Sequence, residues 1–354
     1  MRRAALGLLV GLGIGWAAAF PLASPLPGEP VRILLYHRVG DPRYPSTNVS
    51  EEAFRRQMEW LRRNGYTVIR TRRLESFLLN GEPLPPRPVV IHFDDGYRSV
   101  YENALPVLRE FGYPCTIFLP TRALDRRYRD FLTWSEVKEL TREGVEFGVH
   151  GHGHARVGTP APGETPREYA SRVRREFQEA LARFRAHGLE PRWVAYPYGE
   201  YNDTILETCR ALGFRLGFSQ DPGAVDARGD PLRIHRFAVV GSVAEESVFR
   251  ERMGYGALHL LEPVPRPGLL PGPRVPRFSV RVADPERYEP GSVNLFVSER
   301  GRLPARFDPE TGRVEAPGMN LSRRLNRVLV SLRDRETRRY ALSSWLILLP
   351  GGDR

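Results

Sequence analysis

The sequence predicts an α/β fold, a parallel sheet or barrel, followed by a small all-β domain. Three observations predict it. Strand-like and helix-like segments alternate from Val31 to about residue 240. His37, Asp94, Asp95, His150, Pro197 and Asp221 all fall at or just beyond the C-terminal ends of expected strands, the face on which α/β barrels carry their active sites. Beyond a Pro-rich stretch the pattern changes to short alternating runs separated by turn groups such as EPG and DPETG.

The elements follow in order. Arg2 and Arg3 precede an apolar or small run over 4–20, and Ala17, Ala18 and Ala19 stand before a Pro-rich spacer. A basic start, an apolar stretch and small residues read as an export signal. At about 17 residues the run is also near the lower limit for a span, so residues 1–28 are expected to be an export signal or membrane anchor. The protein is therefore expected outside the cytoplasm, in the envelope or beyond it. VRILLY at 31–36 is a strand ending at His37. Ser50 opens a helix with Phe54, Met58 and Leu61 on one face, and Gly65 stops it. A short strand at 66–69 and a short helix at 74–79 lead to PVVIHFDDGYRSV (88–100), whose apolar β-branched run closes on Asp94, Asp95 and Gly96. Two adjacent carboxylates ending a buried strand need a cation or an acid–base task to offset their burial; the alternative is a turn with a capping Asp.

A helix at 104–110 and a strand at 115–119 come next. Thr133 with Glu136 and Thr165 with Glu168 are capping-box pairs, the second with Pro166 at the first helical position. The first starts a helix over 137–141. The second starts a helix with Tyr169, Val173, Phe177, Leu181 and Phe184 as its apolar stripe. Strands at 145–149, 193–196, 214–218 and 234–240 and a helix at 203–212 complete the α/β region, 29–260. Residues 261–277 (PVPRPGLLPGPRVP lies within them) read as a linker. Residues 278–354 read as a small β-sandwich with strands near 278–282, 293–297, 328–332 and 345–349.

Composition narrows the function classes. Net charge is +11 and Lys138 is the sole lysine, so the positive charge is almost all Arg. The arginines are scattered among glutamates along amphipathic helices, which fits a solvated surface better than a nucleic-acid footprint, and no nucleic-acid partner is expected. Cys115 and Cys209 form no metal motif and read as two buried free thiols, with a disulfide as the alternative in an oxidising compartment.

The chemistry gathers in FGVHGHGHARVG. His150, His152 and His154 stand at the end of a strand with glycines between them, and neutral imidazole is the commonest protein ligand for zinc-type ions. Two of these histidines with one carboxylate from Asp94 or Asp95 would make an open metal site. The competing reading is a hydrogen-bonded surface cluster.

These residues resemble a family. HFDDGY (92–97) resembles the first motif of the NodB-homology polysaccharide deacetylases, carbohydrate esterase family 4; HGHGH (150–154) resembles the second, and AYPYG (195–199) the third. LLYHRVG (34–40), the FxxQMxxLxxxGY helix and LTWSEVKEL (132–140) extend the likeness over 31–250 and make it most similar to the branch that deacetylates poly-N-acetylglucosamine. The resemblance implies a distorted (β/α) barrel of the NodB-homology type, and a metal-dependent N-deacetylase that releases acetate from an N-acetylated glycan polymer. It implies that Asp95, His150 and His154 hold a divalent metal, with zinc expected, to acidify the attacking water and polarise the acetamide carbonyl. It implies Asp94 as the general base and the Tyr198 backbone N–H as oxyanion donor.

The general acid departs from the pattern. PLRIHRF offers His235, with Arg236 as an alternative partner that orients Asp94, and His37 is the second candidate acid. Ala195 stands where many relatives carry Arg, and His152 reads as a neighbour of the ligands or as exposed. Peptidoglycan or chitin oligomers are alternative substrates. A non-catalytic polysaccharide-binding envelope protein is the alternative of another class, disfavoured by the intact Asp94, Asp95, His150 and His154.

Overall fold

The computed structural model describes residues 29–351, so the expected export signal or anchor at 1–28 lies outside the described residues. Among them, eight parallel strands form one curved sheet. They are β1 (Arg32–Tyr36), β2 (Thr67–Val68), β3 (Pro88–Phe93), β4 (Thr116–Leu119), β5 (Glu146–Val149), β6 (Trp193–Ala195), β7 (Leu216–Phe218) and β8 (Phe237–Ala238). The order is β8-β1-β3-β4-β5-β6-β7, with β2 on β3. A parallel bridge from Phe218 to Ile234 draws β7 towards the segment entering β8, so the sheet curls into a distorted (β/α) barrel. β1 and β3 are buried along their whole length, as strands covered on both faces must be.

Helices pack around the sheet where capping and periodicity place them. α1 (Glu51–Arg63) starts with Ser50 accepting the Ala53 N–H and buries Phe54, Met58 and Leu61. α2 (Thr71–Asn80) ends in a left-handed Gly81, and α3 is Leu105–Phe111. α4 (Trp134–Arg142) and α5 (Pro166–Ala186) both carry the expected reciprocal capping boxes. The stripe of Tyr169, Val173, Phe177, Leu181 and Phe184 is buried. α6 is Asp203–Ala211, and α7 (Glu246–Gly254) has no counterpart in the sequence reading. Both cysteines are free and buried, and burial pushes the Cys115 thiol up to about 12.

The C-terminal region corrects one expectation. Residues 261–277 are not a linker. They fall largely in strands β10 (Leu260–Val264), β11 (Gly268–Leu269) and the start of β12 (Arg274–Val282). Prolines are tolerated because of where they lie: pairing between β10 and β12 stops at Ser279, so Pro276 lies beyond it and that ladder asks no N–H of it.

The other strands of the C-terminal region are β9 (Gly256–Ala257), β13 (Asn294–Val297), β14 (Gly301–Leu303), β15 (Arg306–Asp308), β16 (Arg313–Asn320), β17 (Leu325–Arg333) and β18 (Tyr340–Leu348). A six-stranded sheet, β9-β18-β17-β13-β14 with β11 on β18, faces a four-stranded sheet, β10-β12-β16-β15. Val275, Phe278, Val280 and Val314 of one sheet meet Leu295, Val328, Val330, Trp345 and Ile347 of the other.

β18, an inner strand of the larger sheet, is buried on both faces. Trp345 and Ile347 of β18 enter the sandwich core, whereas Leu342, Leu346 and Leu348 enter the core of the barrel. Alternation along one strand therefore fastens the sandwich directly to the barrel.

Candidate active site

β3 delivers the two aspartates. The Asp94 N–H donates to the Tyr36 carbonyl at 3.0 Å, continuing the β1–β3 ladder to the strand end. The chain then turns sharply, with Asp95 at φ 71° and Gly96 at φ 67°. A Cβ on Gly96 would stand 2.4 Å from the Leu119 side chain, so this turn needs glycine. Asp94 is fully buried and held in bidentate fashion by Arg236, Nη1 to Oδ1 at 2.8 Å and Nη2 to Oδ2 at 2.7 Å. Arg236 is itself fully buried and donates Nε–H to the Ser219 carbonyl at 2.8 Å. Burial alone would raise the Asp94 pKa, but Arg236 and then His150 outweigh it and hold the carboxyl below its ordinary value.

The histidine loop follows β5. The His150 ring places Nδ1 2.8 Å from the Ala195 carbonyl. A carbonyl only accepts, so Nδ1 carries the hydrogen and Nε2 presents a lone pair. That Nε2 lies 3.4 Å from Asp95 Oδ1 and 3.9 Å from Asp94 Oδ2. His154, at φ 54°, brings its own Nε2 to 3.2 Å from Asp95 Oδ1 and 3.2 Å from His150 Nε2. Glu176 on α5 holds the loop in shape by accepting the Gly153 N–H at 2.8 Å and the Ala155 N–H at 3.3 Å.

Two imidazole nitrogens and one carboxylate oxygen thus point at one another, all within 4.8 Å, in a largely buried place. Facing acceptors repel unless a cation or a proton lies between them. The electrostatics show the same demand. Burial opposes protonation of His150, yet Asp94 and then Asp95 overcome it and raise its pKa. Burial likewise opposes ionisation of Asp95, but its bonds to His150 and His154 take its pKa well below the ordinary value. Asp95, His154 and Tyr198 (φ 59°) are all non-glycine residues in left-handed conformations, and such strain concentrates at functional sites. The donor set, two His and one Asp, suits a divalent ion of the zinc type.

The structure sorts the other expected site residues. His37 is half-buried beside the aspartates, and among the described residues its Nδ1 has no hydrogen-bond partner. Burial lowers its pKa, although Asp95 and Asp94 pull the other way. The Tyr198 ring lies 4.6 Å from the His154 ring, under the Arg156 guanidinium at 3.7 Å.

His235 is not brought to the cluster, which corrects its candidacy as the acid. Its Nε2 donates to the Ser344 carbonyl of β18 at 2.9 Å, and the next residue, Arg236, takes the place facing Asp94. His152 turns to Thr121 Oγ1 at 2.9 Å. Trp134 stacks on His187 at 4.2 Å and packs against α5. A cavity of about 390 Å³ between barrel and sandwich is lined by none of Asp94, Asp95, His150 and His154, which gather at the strand ends.

Sequence reading did not find Glu176, Glu200 or Arg327, because their roles depend on partners brought in from other elements. The position opened by Ala195 is explained here: Arg236 reaches Asp94 from the segment leading into β8.

Comparison with known proteins agrees with this geometry. The polysaccharide deacetylase family model matches residues 81–217. YxkH of Bacillus subtilis (strain 168) is 27% identical over 207 residues, covering 58% of this chain and 70% of that protein. The poly-β-1,6-N-acetyl-D-glucosamine N-deacetylase of Escherichia coli (strain K12) is 28% identical over 245 residues. That match covers 58% of this chain but only 36% of the relative, so the chain spans about a third of its length. The solved structure of IcaB from Ammonifex degensii superposes with a TM-score of 0.54 at 27% identity, covering 62% of this chain and 96% of that one. The β-sandwich lies outside the family match, and the barrel that carries Asp94, Asp95, His150 and His154 is the part of the chain similar to polysaccharide deacetylases.

Proposed function

We propose that this protein hydrolyses the N-acetyl groups of an N-acetylglucosamine-containing polysaccharide outside the cytoplasm and releases acetate. One observation carries the reading. Three metal-ligand atoms of Asp95, His150 and His154 converge beside a carboxylate, Asp94, that Arg236 keeps ionised and immobile. A structural ion pair would need only Asp94 and Arg236. A glycan-binding site would have no use for a fixed proton acceptor next to a cation-binding trio.

A divalent ion held by the trio, zinc on this donor set, would polarise the acetamide carbonyl and acidify the attacking water. The chain supplies the rest. Asp94, kept ionised by its pair with Arg236, accepts the proton of that water. The Tyr198 backbone N–H, set by its left-handed turn, steadies the negative charge that develops on the acetamide oxygen. His37 gives the leaving amine its proton; the burial that lowers its pKa makes the protonated ring a readier donor. The relatives that act on poly-β-1,6-N-acetyl-D-glucosamine support that polymer as the substrate.

The test is acetate release from poly-β-1,6-N-acetylglucosamine oligomers, with zinc added and then chelated. Release that stops on chelation and returns with zinc is expected. Zinc-replete protein that releases acetate from peptidoglycan or chitin oligomers but not from this polymer would move the substrate. Release from none of them would overturn the reading.

A further inference from the structure

The turn that carries Tyr198 is gripped from the sandwich. Two carboxylates flank the site on the barrel side, Glu200 just after the turn and Asp221 after β7, and each is only 1% exposed. Each is met by an arginine of the sandwich. Glu200 receives Arg324, from the start of β17, through Nη1 at 2.5 Å and Nη2 at 2.7 Å, together with Arg156 from the histidine loop at 2.5 Å. Asp221 receives the Arg327 Nε–H from β17 at 3.0 Å on one oxygen and the Tyr201 hydroxyl at 2.7 Å on the other.

Arg327 does more than pair with Asp221. Its Nη2 lies 3.4 Å from the Tyr198 carbonyl. It also occupies the space beside Gly199, where a Cβ would stand 3.0 Å from that nitrogen. Asp221 in turn accepts the Arg236 backbone N–H on its own carbonyl at 3.1 Å. One side chain of the sandwich therefore touches the turn holding the oxyanion donor. The residue it grips also touches the arginine that holds the general base. Guanidinium geometry suits this task, because a planar fork bonds two acceptors in fixed directions.

We propose that Arg327 is a positioning residue for deacetylation, setting the Tyr198 turn and the Asp221 anchor, so that the sandwich completes the active site and is not a separable module. The proposal rests on the reading of Tyr198 as oxyanion donor. Disturbing such a residue misplaces groups that act on the transition state and leaves ground-state binding largely intact.

The test uses the whole chain and two readouts. Arg327→Met is expected to lower kcat about tenfold with KM and bound zinc within about twofold of the parent, and Arg327→Lys to recover part of the loss. Asp284→Asn, which breaks the Arg228–Asp284 pair at the same seam, serves as control and should leave kcat unchanged. Hydrogen exchange is the second readout and needs no substrate. The Gly199 and Glu200 amides, bonded to Tyr196 and Pro197 carbonyls at 2.8 and 3.1 Å, should exchange faster in Arg327→Met but not in Asp284→Asn. Unchanged exchange in Arg327→Met, or a kcat within twofold of the parent, would overturn the proposal. If the parent releases no acetate, the functional reading falls and the exchange result still decides whether the sandwich sets this turn.

Discussion

At the mouth of the barrel the Asp95 carboxylate faces two imidazole nitrogens, whereas at the seam with the sandwich Glu200 and Asp221 face guanidinium groups. Both regions bury carboxylates, and they do so in opposite ways. At the seam each negative oxygen has a fixed positive or hydroxyl donor, so the charges cost little and hold two domains in register. At the mouth acceptors meet acceptors, an arrangement that only an added cation or proton relieves. Matched charge marks assembly here, and unmatched charge marks chemistry. Asp94 joins the two, paired like a seam residue but placed beside the unmatched trio.

The sharpest way to break the comparison is to unmatch a matched charge. Arg236→Met leaves Asp94 buried without its partner and should destabilise the protein by about 3–5 kcal/mol, besides abolishing acetate release. Denaturant unfolding of the variant measures this. A free energy within 1 kcal/mol of the parent, on the order of normal surface substitutions, would mean that Asp94 is not held as described.

A smaller effect is expected from apolar packing at the seam. Leu346, fully buried where β18 meets the barrel core, should cost about 2–5 kcal/mol when changed to Ala. The folded fraction should still turn over at the parental kcat. A loss of kcat without a shift in unfolding midpoint would place the catalytic role of the seam in its packing and not in Arg327.

The smallest effect lies within the sandwich. Burial of Glu299 would raise its pKa, but bonds from Ser322, Arg323 and Asn326 bring it down to about 2. A lowered carboxyl pKa contributes stability above the unfolded value, and that contribution is lost as pH falls towards the folded value. The stability gap between parent and Glu299→Gln should therefore be largest near neutrality and shrink between pH 4 and pH 2, on the order of the window these two values define. A gap that grows on acidification would contradict the sign.

Much of the barrel could be read before any coordinates because its signals are local. The Thr133/Glu136 and Thr165/Glu168 boxes, the α5 stripe and the strand-ending DDG each need only a few neighbouring residues to be recognised. The sandwich was legible in kind but not in extent. β18 is buried on both faces and β10 to β12 carry prolines, so period and composition pointed to a short strand and a linker where the chain forms a long strand and three paired ones.

The site divides in the same way. Asp95, His150 and His154 were visible from spacing and resemblance, and the structure brings them together. The choice between His235 and Arg236 was not visible. It depends on which of two consecutive side chains faces Asp94, and a one-residue difference reverses that. Glu176, Glu200 and Arg327 act over long sequence separations, and no local pattern announces them.

The central claim is that one set of residues binds the ion and a different residue takes the proton, and paired variants test it most directly. Zinc content and acetate release would be measured together for the parent, Asp94→Asn and His150→Ala. The account predicts that Asp94→Asn keeps its zinc and loses about 10²–10⁴-fold in kcat, while His150→Ala loses both. Asp94→Asn with most of its activity, or His150→Ala with its zinc, would contradict it.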